Sequence, residues 1–526
     1  MKWKMKAVMH SSGPRLTAAV FLAATKLTVP AAEREIPPAF GPYVNLTAKD
    51  FAESKSFAAR DRIVGTYFFY WYDIYSKEHI VDDDGTDALT THPPTLEDFS
   101  YKSVRWHKKQ LADMKAAGID VALMVFWGSP AEQDVKAVLH WSFAGLKPLV
   151  EAREDLLREG RKPPRIGLFY DTSTLQWNHW GYHADLTTAY GKRFFYASVR
   201  DFFSCIPPKH WAMMDGKPIV LLYAAAFAKK WDQSFIDYTK AEFAKEFGGR
   251  VPWMAPQDSW HVKGDNTCAW GGALAFKNPG IGEIGPGYDH SAVPGREPLV
   301  RERENGMFYE ESWLKFLRRP SNFVMIETWD EFHEGTDIAE SKEYGRQYIE
   351  LTRKYSERFK KGWKPAWPKG SFNKARAISA NAAEAERDKG LILVAAEDGK
   401  AAVEELQGRK AWVGKPFKDG HSAYIYFRVD DSFKSEGVMN ATVSFEYFDA
   451  MPGQLSVEFD GSDTSAPFNG AYSRTEKVSL TGDKRWKTAS FKLNGARFLN
   501  SQNAGADFRI VAEANDFGLG SATLTR

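Results

Sequence analysis

The sequence predicts an α/β protein in two parts: a (β/α)8 TIM barrel over residues 33–360, then an all-β sandwich of jelly-roll type over 389–526. Three observations predict it. Eight short apolar or aromatic runs recur between residues 63 and 332, each bounded by Gly, Pro or Asp, as buried parallel strands are. Amphipathic segments of helical period separate most of them. Beyond residue 389 the pattern changes to short alternating strands with Gly, Asp and Ser at the turns, which reads as an antiparallel sandwich.

Residues 1–32 carry five cations and no acid, and 16–24 (LTAAVFLAA) form an apolar run followed by small residues ending at Ala32. That order is the pattern of a secretory signal peptide, so a secreted or periplasmic location is expected. The barrel strands are expected at IVGTYFFYWY (63–72), VALMVFWG (121–128), RIGLFYD (165–171), PIVLLYA (218–224), VPWMAP (251–256), AWGGALAF (269–276), IGEIGPGYD (281–289) and FVMIETWDEF (323–332). The sixth unit shows little helix after its strand. An open doubly wound sheet is the alternative fold, but no Gly-rich phosphate loop follows an early strand. Gly118 reads as a helix stop before the second strand. Tyr344, Tyr348, Leu351, Tyr355 and Phe359 fall on one helical face. Residues 361–388, rich in Pro, Lys and Ala, read as a linker carrying Trp363 and Trp367. The sandwich strands are expected at 423–429, 441–450, 455–461, 486–493 and 507–514.

Composition narrows the function. The chain has 526 residues with 70 Lys+Arg against 68 Asp+Glu, a balance that argues against a nucleic-acid binder. Two cysteines exclude a disulfide scaffold and a Cys-based zinc site. No apolar run reaches the ~18 residues of a membrane span. Aromatics make up 14% of the chain and many fall at strand ends, as stacking surfaces for sugar rings would.

A (β/α)8 barrel carries its site at the C-terminal ends of its strands. Those ends hold Tyr70, Trp71 and Tyr72; Trp127; Tyr170 and Asp171; Tyr223; Tyr288; and Trp329 with His333. These ten are the candidate substrate-binding residues. His107 and His140, inside helical segments, read as packing histidines. The eighth strand end packs Glu327, Asp330, Glu331, Glu334 and Asp337 into eleven residues. Crowded carboxylates repel one another and resist desolvation, so their collection there needs a reason. Glu331 and Glu334 are the candidate catalytic pair, because glycosidic cleavage needs one protonated acid and one ionised partner. His333-Glu334 lacks the H-E-x-x-H spacing, so neither a metal nor another cofactor is expected.

At these residues the sequence resembles glycoside hydrolase family 99, the endo-α-mannosidases and endo-α-mannanases. TWDEFHEGTDI (328–338) resembles that family's F-N-E-W-H-E-G-T-Q segment and keeps Glu331, His333, Glu334, Gly335 and Thr336. Residues 284–313, 110–128 and 215–223 resemble further family segments in the same order. The resemblance implies an endo-acting, retaining glycosidase without a protein nucleophile. Glu331 would be base toward the substrate 2-hydroxyl, a 1,2-anhydro sugar would follow, and Glu334 would be the acid/base. It also sets Tyr288, His333 and Trp127 near the substrate. Asp330 stands where the family has Asn and Phe332 where it has Trp; both replacements are expected in the sugar-recognition shell.

The C-terminal part resembles galactose-binding-like accessory domains. Tyr424, Tyr426, Tyr447, Phe468 and Tyr472 are read equally as binding platform or as core. Two other functions remain open: a carbohydrate-binding protein without catalysis, and a glycan-synthesis protein of the related barrel group. The expected partner throughout is a polysaccharide or oligosaccharide; sugar, linkage, stereochemical outcome and oligomeric state are not given by the sequence.

Overall fold

The computed structural model describes residues 34–526 apart from 131, 133–136, 138, 297, 298, 385, 386, 388, 397, 417–419, 436, 464, 469, 514 and 515. The expected signal peptide lies outside the described residues. The chain divides into two compact units, one running to Trp363 and one comprising Lys364–Arg526, with Ala275–Pro279 and Leu317–Arg319 grouped with the second.

Among the described residues the first unit holds ten strands: β1 (Ile63–Phe68), β2 (Val121–Phe126), β3 (Arg165–Tyr170), β4 (Met213–Met214), β5 (Lys217–Leu222), β6 (Trp253–Pro256), β7 (Gly282–Ile284), β8 (Tyr288–Asp289), β9 (Val300–Arg301) and β10 (Phe323–Ile326). Seven of them form a parallel sheet in the order β6-β5-β3-β2-β1-β10-β7. β4 pairs antiparallel with β5, and β8 and β9 form a separate antiparallel hairpin. The helices are α1 (Val104–Ala116), α2 (Trp141–Ala144), α3 (Leu146–Arg158), α4 (Ala189–Ser204), α5 (Ser234–Glu246), α6 (Met307–Arg318) and α7 (Gln347–Lys360). The Ser103 side chain caps α1 by accepting from Trp106 N, and Gly118 leaves that helix at φ +83°, a conformation that favours glycine.

Every residue of β1 and β2 is buried, so these strands are apolar on both faces. Side chains alternate between the two faces. Phe68 packs outward on Trp106 of α1, Phe126 on Phe143 of α2 and Phe202 of α4. Tyr67 and Phe169 point inward, their rings 4.6 Å apart, and both meet Trp270. The Tyr67 hydroxyl donates across this interior to Glu283 of β7, at 3.0 Å to one carboxylate oxygen.

The closed eight-stranded barrel is corrected at one seam. AWGGALAF, the expected sixth strand, is turn and bend, and among the described residues no ladder joins β6 to β7. The cause is local. Gly271 takes φ +100°, and the amides of Gly271 and Gly272 donate to Glu327 Oε2 at 2.7 and 2.8 Å instead of to a neighbouring strand. A Cβ on Gly272 would come within 2.7 Å of the β7 backbone, so the segment passes against β7 without pairing. A buried carboxylate therefore takes the place of a strand partner.

The second unit contains two six-stranded antiparallel sheets. One includes Arg409–Gly414, Met439–Phe448, Trp486–Ala496 and Phe517–Thr525; the other includes Ala423–Val429, Pro452–Phe459 and Phe508–Ala512. Each of the five expected sandwich strands has its counterpart. The stretch 361–388, expected to be a linker, contributes the strand Ala377–Asn381, which pairs with Phe517–Thr525 over five residues. Trp363 lies over Arg358 of α7, whereas the Trp367 indole donates to Lys434 O of the second unit. Tyr447 belongs to the sandwich core, Tyr426 and Tyr472 are buried, Tyr424 is half-buried and Phe468 is exposed.

Candidate active site

The chain after β10 folds back on itself under a set of specific bonds. Thr328 N donates to Thr336 O, and Thr328 Oγ1 accepts from Glu331 N at 2.9 Å. The Tyr72 hydroxyl donates to Asp330 O and accepts from Phe332 N, both at 3.0 Å. On the far side of the turn, Arg303 donates to Asp337 Oδ1, Asp337 O and Gly335 O. Its guanidinium packs against the rings of both Tyr344 and Tyr348, 4.2 and 4.6 Å from their centroids. The loop is thus clamped from both ends, and Glu331 and Glu334 are held between the clamps.

The two glutamates are both buried but have different partners. Glu331 Oε1 accepts from His333 N at 3.0 Å and lies 2.9 Å from His333 Nδ1. Its other oxygen has no hydrogen-bond partner. Glu334 Oε1 accepts from Arg296 Nη1 at 2.5 Å, and Tyr288 hydrogen-bonds to the same carboxyl. Burial pushes the Glu334 carboxyl above its usual range; the Arg296 charge opposes that push and the Glu331 carboxylate adds to it. One acid whose protonated form is favoured stands beside a second acid with an unoccupied oxygen.

Aromatic and carboxyl groups surround the pair. Trp71 stacks on His79, 4.5 Å between centroids, and meets Trp127 and the edge of His333. Burial pushes the His79 imidazole down to about 3, so it is neutral. Burial raises Asp171 to about 6. Burial raises the Tyr223 phenol and the Asp171 and Glu334 charges add to it, and the Tyr288 hydroxyl sits 3.0 Å from His290 Nδ1.

Eight of the twelve expected site residues gather here: Glu331, Glu334, Trp71, Tyr72, Trp127, Tyr223, Tyr288 and His333. Asp171 joins them through its field at Tyr223, while its Oδ1 accepts from Ser173 N. Tyr70, Tyr170 and Trp329 do not. Tyr70 OH donates to Ser142 O in α2, Tyr170 OH donates to Ser198 Oγ in α4, and the Trp329 indole donates to Gln110 of α1. All three face the helices. The expected shell residues Asp330 and Phe332 also turn away from the pair. Asp330 Oδ1 accepts from Phe69 N at 2.8 Å, and Phe332 packs on Tyr72 and Phe99. Both line a cavity of about 260 Å³ on the α1 side of the loop, among Phe99, Arg105, Trp106 and Lys109, which neither glutamate reaches. The sequence reading missed Arg296 and His79, and named Glu327 only as one of the crowded carboxylates after the eighth strand. Arg296 lies in the arginine-rich stretch within 284–313 that carries part of the family resemblance, but that reading gave no role to Arg296 itself. Among the described residues no cluster of three or more His, Cys, Asp or Glu could hold a metal ion, and no helix is long and apolar enough to cross a membrane.

The described first unit is thus a mainly parallel sheet with two buried carboxyls beyond one strand's C-terminal end, surrounded by indoles and phenols. The chain belongs to the family described as a domain of unknown function (DUF5010), whose model matches residues 77–369. It is also similar to the mouse glycoprotein endo-α-1,2-mannosidase, 34% identical over 96 residues, covering 15% of this chain and 21% of that protein. The chain thus matches about a fifth of the length of that curated relative. Among solved structures it resembles the GH99 endo-α-mannosidase of Bacteroides thetaiotaomicron at 16% identity and TM-score 0.41, over 57% of this chain and 98% of that one. It also resembles the C-terminal CBM6 of a Zobellia galactanivorans laminarinase at 11% identity and TM-score 0.18, over 28% and 99%.

Proposed function

We propose that the protein is a glycoside hydrolase, endo-acting on a polysaccharide or complex glycan, with Glu331 and Glu334 as its catalytic pair. The observation that carries this reading is the pair itself: two buried carboxyls on one clamped loop, one bonded to a histidine with an oxygen left over, the other held by an arginine and a tyrosine. A binding protein has no need to bury two acids side by side, because their repulsion and desolvation weaken the fold.

In the proposed reaction the substrate 2-hydroxyl gives its proton to Glu331 and closes on the anomeric carbon. The bond to the leaving oxygen breaks as Glu334 protonates that oxygen. Water then opens the 1,2-anhydro ring: Glu334 takes the water proton, Glu331 returns its proton to O2, and the configuration is retained. Trp127 offers a flat apolar face to the sugar rings, with Trp71, one face of which is taken by His79, packed beside it. The name of the mouse relative makes α-mannosides the first substrates to try. The basic and apolar leader supports a site of action outside the cytoplasm.

The test is release of new reducing ends from a panel of α- and β-linked glycans, with NMR of the first-formed anomer. Glu334→Gln and Glu331→Gln are each expected to lower the rate by about 10²–10⁴-fold. Binding of glycan without release by the wild-type protein overturns the proposal in favour of a non-catalytic role.

A further inference from the structure

Glu334 sits where two effects work against its use as a reversible acid. It is buried, and the Glu331 carboxylate stands beside it; both make its proton harder to lose. A group that gives a proton in one step and takes one in the next works best with its affinity near the working pH. Something must offset burial and the like charge. The groups that face Glu334 are Arg296 on the loop between β8 and β9, Tyr288 on β8, Tyr223 beyond β5, and Glu331 on its own loop. His290 lies behind Arg296, 3.4 Å from its Nη1. Tyr223 and Tyr288 are phenols whose own ionisation burial disfavours, so neither carries charge. That leaves Arg296 as the cation of the set. It is itself largely buried, with 12% of its side chain exposed, so the pair is weakly screened.

Resting on the hydrolase reading above, we infer that Arg296 is a positioning residue that sets the charge state of the acid/base Glu334 through their 2.5 Å contact, and so fixes the pH range over which the enzyme works. Arg296 touches the acid on one oxygen. Its charge lowers that acid's hold on the proton, and its hydrogen bond fixes the carboxyl's orientation. Without it, Glu334 would keep its proton to higher pH and would take one from water readily but return it slowly.

The experiment is a pH profile of kcat/KM for the full-length protein, its Arg296→Ala variant and its Arg296→Lys variant, on a glycan and on an aryl glycoside whose phenol leaves without protonation. In Arg296→Ala the alkaline limb is expected to move up by about one to three pH units, the range an adjacent arginine imposes on a carboxyl. Arg296→Lys, which keeps the charge, should return most of the way to the wild-type limb. The rate loss in Arg296→Ala should be much larger for the glycan than for the aryl glycoside. A limb that stays in place, or equal losses on both substrates, would mean that Arg296 only supports the fold, and the inference would fall. Absence of turnover by wild type on every glycan would instead remove the hydrolase reading, a separate and recognisable failure. Should Arg296→Ala not fold, Arg296→Gln, which keeps a hydrogen-bond donor and removes the charge, decides: an alkaline limb moved up relative to wild type is expected, and a limb that stays in place overturns the inference.

Discussion

Asp330 shows how one side chain's surroundings decide its chemistry. It is buried, Oδ1 accepts from Phe69 N, and Oδ2 has no partner. Burial pushes its carboxyl well above the usual range, and the Glu331 and Asp337 charges add to that push. A carboxylic acid held neutral has the shape and hydrogen-bonding capacity of an asparagine side chain. The sign of the linkage follows. In the unfolded chain Asp330 ionises above about pH 4, whereas in the fold it holds its proton to higher pH, so its contribution weakens as pH rises from the unfolded value toward the folded one. Asp330→Asn removes that loss. Its unfolding free energy, read from urea titrations at several pH values, is expected to gain on the wild-type value as pH rises above about 4, by up to about 1.4 kcal/mol per pH unit. A difference that is flat with pH contradicts a neutral Asp330. The same scale shows what was legible beforehand. The strand-end residues were found by position, but position alone did not separate Tyr70 and Tyr170 from Trp71 and Asp171. Alternation does: Phe68 faces a helix, so Tyr70 does too, and Trp71 faces the interior. Arg296 was not legible, since only the folded hairpin brings it to Glu334.

At the scale of elements, the seam between β6 and β7 and the loop after β10 are one construction. Glu327 follows the last strand and accepts the two glycine amides that a sixth strand would have paired. Six apolar residues surround Gly271-Gly272 in AWGGALAF, which gives the texture of a buried strand without its hydrogen bonds. That is why the run looked like a strand: apolar content reports burial, and only the tertiary acceptor decides where the amides go. Glu327→Ala should leave two buried N–H groups unsatisfied, at about 1–3 kcal/mol each. The expected outcome is a lower urea midpoint with an unchanged m-value. A midpoint within error of wild type would mean that water replaces the carboxylate and that the seam does not depend on it.

For the molecule as a whole, the boundary between units is a physical claim about which strands a fold requires. The sequence placed the start of the sandwich at residue 389, because alternation begins to show there and the stretch before it has no sustained period. The structure starts the second unit at Lys364, and the strand Ala377–Asn381 pairs with Phe517–Thr525 from Ala377↔Thr525 to Asn381↔Ser521. Only Ile378 and Ala380 are buried, and the small Ala380 beside Ala377 and Ser379 gives the strand little hydropathy contrast. Ile378 and Ala380 nevertheless belong to the sandwich core with Phe445, Leu519 and Leu524. A fragment beginning at 389 would lose that ladder and expose apolar surface; burying a side chain the size of Ile378 is worth about 1.5–3 kcal/mol. It would also leave Phe517–Thr525 with an unpaired stretch of edge, which invites association. Residues 364–526 expressed alone are therefore expected to melt cooperatively as a soluble monomer. Residues 389–526 should melt at lower temperature or self-associate, read by calorimetry and by sedimentation. Equal melting temperatures and equal sedimentation for the two fragments would show that Ala377–Asn381 decorates the sandwich without supporting it, and the boundary would return to where the alternation begins.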